Sequence, residues 1–134
     1  MTEEEHKKLV DRLYARRGEA VVVPFVNQSV GDWSPSEGDC HRNVDWFAMQ
    51  NEEYRTVRGW LVFDFQKDSM GLMPLVRFTA HSVVEDTNGN LLDITPSRAS
   101  RRYPFLRFEG TEEEFVSLVQ ENNLVNVDWT ESPA

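Results

Sequence analysis

Cysteine is almost absent from this chain: among 134 residues there is one, Cys40. A single thiol excludes an intramolecular disulfide and any cysteine-rich zinc module, and it points to a reducing compartment. Basic residues are also scarce, 14 against 23 acidic, for a net charge of -9. That balance excludes a general electrostatic affinity for nucleic acid or for an anionic membrane surface. No apolar run approaches the roughly 18 residues of a membrane span. The start, Met1-Thr-Glu-Glu-Glu-His-Lys-Lys, lacks the apolar stretch of a secretory signal, so a cytoplasmic protein is expected. There is no internal repeat, low-complexity linker or domain boundary. Hydrophobic residues make up 40% of the chain, enough for one folded domain over 1–134.

Thr2 and Glu5 have the spacing of a capping box, and Leu9, Val10, Leu13 and Tyr14 recur at helical intervals before Gly18. The spacing predicts an amphipathic helix over 3–17. Residues 19–26 are β-branched and apolar and predict a strand, with Pro24 placing it at an edge. Residues 27–39 hold the glycine, proline and serine of a loop. From Cys40 to Glu53 the pattern is helical again, with Cys40, Val44, Phe47 and Ala48 on one inward stripe. Residues 57–65 alternate as a strand, 75–85 and 91–95 flank a hairpin turn, and 105–108 form a further short strand. A second capping box at Thr111 heads a helix, and 124–129 form a last strand. This order indicates an α+β fold with a small antiparallel sheet.

The hairpin turn Asp86-Thr-Asn-Gly-Asn90 admits two registers. A two-residue loop sets Val84 opposite Asp93, whereas a type I turn closed by a left-handed Gly89 sets Val83 opposite Asp93. Val76, Phe78, Ala80, Ser82 and Val84 form the apolar face of the first strand. Only the second register puts Leu92 and Ile94 on that face, and a buried face fixes register. The same choice makes Asp93 the diagonal neighbour of His81, within side-chain reach.

Three groups thus emerge: Cys40 at a helix start, His81 in a strand and Asp93 on the adjoining strand. A helix N-terminus and a nearby imidazolium both favour a thiolate, and a carboxylate orients the imidazole. The backbone N–H of Cys40 and the side-chain amides of Asn27 and Gln28 are candidate oxyanion donors, and Trp60 is a candidate cleft residue beside His81. The segments Gly38-Asp-Cys-His-Arg-Asn-Val44, Gly59-Trp60, His81-Ser-Val-Val84 and Gly89-Asn-Leu-Leu-Asp-Ile-Thr-Pro96 resemble papain-like and transglutaminase-like cysteine hydrolases. The resemblance spans about residues 27–96 and rests on order and element type. It implies a papain-like α+β fold with the cysteine helix packed on the sheet, Cys40 as nucleophile, His81 as base and Asp93 as orienting residue. Gln28 matches the oxyanion amide loosely, and Asp39 and His41 depart from the commonest neighbours of the cysteine.

The expected activity is that of a thiol hydrolase or acyltransferase acting on a peptide, amide or other acyl substrate without a cofactor. Peptidase, amidase and acyl transfer stay open. The alternative is a non-catalytic binding module of the same fold. Zinc is a weaker alternative for Cys40, His41, His81 and Asp93, because adjacent helix residues point about 100° apart. No metal is therefore expected. The arginines at 98, 101, 102 and 107 form a basic set that can meet an anionic ligand or balance the acidic surface.

Overall fold

The computed structural model describes residues 1–97 and 102–131. Helix α1 (Glu3–Arg16) begins with the expected reciprocal cap between Thr2 and Glu5. Strand β1 (Val21–Val22) follows, then helix α2 (Cys40–Gln50) and the long strands β2 (Arg55–Asp64) and β3 (Leu75–Glu85). The short helix α3 (Phe65–Asp68) joins those two strands. Strands β4 (Leu91–Leu92) and β5 (Pro104–Arg107), helix α4 (Glu112–Val116) with a π-helical turn after it, and strand β6 (Asn126–Thr130) complete the order. All strand pairs are antiparallel, in the order β1-β5-β2-β3-β4, and β6 shares the outer edge of β3 with β4.

Alternation along β2 and β3 gives the sheet two different faces. One holds Trp60, Val62, Val76, Phe78 and Ala80, all buried against Val10 and Leu13 of α1 and Phe115 of α4. Helix α2 packs on this same face through Val44 and Phe47, which meet Val84 and Ile94. The other face gathers Val23, Val57, Val83 and Phe105.

The predicted strand over 19–26 is only two residues long. Val21 and Val22 pair with β5 at one edge of the sheet. Pro24 has no N–H to continue the ladder. Its carbonyl instead accepts the Asp93 N–H at 2.9 Å, and the Asp93 carbonyl accepts the Val26 N–H at 2.9 Å, beyond β4 at the opposite edge. One segment therefore bonds to both edges, and the sheet curls around Val23.

The hairpin has the register chosen by patterning: Val84 pairs with Leu92 and Glu85 with Leu91. Gly89 closes the turn at φ +83°, and its N–H donates to the Asp86 carbonyl. Among the described residues, no helix is long and apolar enough to cross a membrane.

Gly59 sits opposite His81 and beneath the Phe105 ring; a Cβ there would lie 2.2 Å from the Leu106 carbonyl oxygen and 2.7 Å from Phe105. Both neighbours are fixed in the sheet. Gly59→Ala is expected to cost about 2 kcal/mol or more. Urea unfolding checks this, with an unchanged midpoint contradicting the packing.

Candidate active site

Strands β6 and β4 cover the outer edge of β3 at Leu75–Thr79 and Val84–Glu85. At His81 and Ser82, between them, that edge carries no strand among the described residues. Helix α2 starts at this opening. His41 in its first turn reaches Ser82 on the helix-covered face, while half-buried Cys40 meets His81, which belongs to the opposite face. The thiol thus approaches the imidazole around the sheet edge.

Asp93 holds the far side of the ring. His81 Nε2 lies 2.8 Å from Asp93 Oδ2, and the Thr95 N–H donates to Asp93 Oδ1 at 3.0 Å. Asp93 is 4% exposed. A buried carboxylate this dry must be paired or hydrogen-bonded, and His81 and Thr95 supply those partners. With Nε2 donating to the carboxylate, Nδ1 is the ring nitrogen left for Cys40.

Asn43 ties the helix that bears Cys40 to the segment after β4 that bears Asp93. It is buried one turn after Cys40. Its Nδ2 donates to the Thr95 hydroxyl at 3.0 Å and to the Ser36 carbonyl at 2.8 Å, and its Oδ1 accepts the Ser36 N–H at 3.0 Å. Thr95 in turn holds Asp93, so hydrogen bonds run from α2 to the orienting carboxylate.

On the helix-covered face, Arg58 Nη1 donates to Ser82 Oγ at 2.8 Å, and His41 Nδ1 lies 2.5 Å from the same oxygen. Arginine can only donate. Ser82 is fully buried, and among the described residues His41 Nδ1 is the acceptor for its hydroxyl proton. Nε2 then carries the His41 proton.

Burial raises the Cys40 pKa, but hydrogen bonds from His41 and His81 and the charge of the His81 ring outweigh it and bring the thiol down to about 6. Burial likewise lowers the His81 pKa, and the bonds to Asp93 and Cys40 outweigh it and lift the imidazole to about 9. Between these values the pair stands as thiolate and imidazolium. Asp39 occupies the N-cap position of α2, yet its side chain makes no capping bond and is exposed to solvent, which screens its charge from the sulfur.

Cys40, His41, His81 and Asp93 line one cavity of about 500 Å³, together with Thr95 and Arg102. The cleft role expected of Trp60 is not observed. Trp60 pairs with Ala80 on the helix-covered face and is fully buried against α1 and α4, because neighbouring strand residues point to opposite faces. Neither Asn27, which is exposed, nor Gln28, which is half-buried, belongs to the cavity lining.

Of the basic set, Arg98 and Arg101 lie outside the described residues. Arg102 stands 3.7 Å from Asp93 Oδ2 and over the Phe25 ring, and Arg107 pairs with Glu85. Among the described residues no three His, Cys, Asp or Glu side chains are grouped to hold a metal ion.

Sequence reasoning missed Asn43, Thr95, Ser82 and Arg102 as supports of this site. Asn43 had a usable signal: a polar residue on the inward stripe of α2, one turn after the cysteine. Comparisons of the chain with protein-family models, curated proteins and solved structures find no match. Function is therefore read from the side chains.

His41→Ala is expected to move the thiol titration of Cys40 up by about one pH unit, with His41→Gln, which keeps an N–H donor, moving it less. Ultraviolet absorbance of the thiolate checks this in a chain with one cysteine. An unmoved midpoint would show that His41 does not act on the sulfur.

Proposed function

We propose that the protein is a small thiol hydrolase or acyltransferase of papain-like or transglutaminase-like architecture, working through Cys40, His81 and Asp93. The observation that carries this reading is the convergence of a half-buried thiol, an imidazole and a buried carboxylate on one cavity, with His81 Nε2 2.8 Å from Asp93. Three separate elements contribute these groups, and the imidazole is oriented by a third partner, as nucleophilic catalysis requires.

In the proposed reaction the Cys40 thiolate attacks the carbonyl carbon of an amide, ester or thioester. The sulfur–carbon bond forms, and the carbonyl electrons move to oxygen. The Cys40 backbone N–H, at a helix start where donors lack intrahelical partners, is placed to stabilise that oxyanion. Collapse breaks the bond to the leaving group, which takes the His81 Nδ1 proton. Water or an amine then attacks the thioester and gives a proton back to His81, and the carbon–sulfur bond breaks to regenerate the thiolate. Asp93 stabilises the imidazolium in both halves. A reducing, cytoplasm-like compartment suits a mechanism that needs the lone thiol unoxidised.

Mixing with p-nitrophenyl acetate, acid quenching and intact-mass measurement tests the proposal. The expected result is one acetyl group on the native chain and none on Cys40→Ser. Acylation should slow by about a hundredfold or more in His81→Ala and in Asp93→Asn. An unmodified mass in the native chain, with no release of p-nitrophenolate that depends on Cys40, contradicts the reading and favours a non-catalytic binding module of the same fold.

A further inference from the structure

The curled face of the sheet continues beyond His81 as a wall of apolar side chains. Gly59, opposite His81, contributes no side chain, so the Phe105 ring settles over it, 6.3 Å from the imidazole. Leu61 and Phe63 extend the wall along β2, and the Tyr103 ring packs at a tilt against Phe63, with centroids 4.2 Å apart. Val23 from the crossing segment and Val119 and Val125 from the C-terminal elements complete the lining.

Among the described residues, few full charges face this space. Of the lining residues outside the Cys40, His41, His81 and Asp93 group, Glu37 and Arg102 are the charged ones. Glu37 is exposed, and Arg102 is directed at Asp93 and the Phe25 ring. Arg102 is thus already engaged and Glu37 is itself an anion, so among the described residues neither draws an anionic ligand deep into the cavity. At about 500 Å³ the space has the size of a small-molecule site.

We propose that this cavity is an acyl pocket selecting an uncharged, apolar acyl group, a short aliphatic chain or an aromatic ring, joined to the bond that Cys40 attacks. The proposal rests on the thiol-acyl-transfer reading and names the substrate class within it. Leu61 to Phe63 spans two residues of strand, about 7 Å, which matches an extended chain of about five carbons. A charged acyl group would lose its hydration against Leu61, Phe63 and Phe105, where the described residues bring no charged side chain.

The test alkylates Cys40 with iodoacetamide and with its N-propyl and N-hexyl derivatives. In each case sulfur displaces iodide, a sulfur–carbon bond replaces the carbon–iodine bond, and every rate is divided by that of glutathione with the same reagent. The N-hexyl reagent is expected to gain at least about tenfold over iodoacetamide, through burial of its methylenes. That ratio is expected to fall in Leu61→Gln. A ratio within about twofold of unity in the native chain overturns the proposal, and so does a gain that Leu61→Gln leaves untouched.

His81→Ala separates this idea from the reading beneath it. A thiol that still depends on His81 but shows no chain-length gain overturns the acyl pocket alone. A chain-length gain on a thiol indifferent to His81 upholds the apolar pocket and removes the acyl-transfer role.

Discussion

One carboxylate organises this molecule, and its position depends on a single turn. The backbone of Asp93 accepts from Val26 and donates to Pro24, which closes the sheet at the edge beyond β4. Its side chain holds His81 and the Thr95 N–H. If the hairpin slipped by one residue, Leu92 and Ile94 would leave the helix-covered core and Asp93 would leave His81. The left-handed Gly89, at φ +83°, prevents that slip. Packing and chemistry are therefore secured by the same register.

The second constraint is the incomplete outer edge of β3. A full neighbouring strand there would seal His81 from α2. Among the described residues, two short strands leave the edge open at His81 and Ser82, and the start of α2 uses the opening. His41 docks on Ser82 from one face and Cys40 reaches His81 on the other. The thiol and the imidazole thus come from opposite faces of one sheet. The half-buried Arg58, held by Asp45 and Glu112, donates to the Ser82 hydroxyl beneath α2.

Much of this was legible in residue order. The two capping boxes, the start of α2 at Cys40, both long strands and the hairpin register follow from periodicity and turn chemistry, and the register brought His81 and Asp93 together. What periodicity cannot supply is which elements share a face across the sheet. Trp60 was a cleft candidate beside His81, but strand alternation sends it into the core against α1 and leaves Gly59 beside the imidazole. The strand over 19–26 had the right composition, yet Pro24 breaks its ladder and transfers the segment from one sheet edge to the other. Asn43, Thr95 and Arg102 support the site through contacts distant in sequence, to which local patterning is blind.

The central claim is that His81 holds Cys40 as a thiolate near neutral pH. It is tested most directly by the rate of iodoacetamide alkylation across pH, in the native chain and in His81→Ala. Because the folded thiol pKa is lowered to about 6, reactivity should already be near its plateau at about pH 7 in the native chain. In His81→Ala the rise should shift toward the ordinary thiol range, about 8.5. A native profile that rises only near that ordinary value, and that His81→Ala leaves unchanged, would contradict the account.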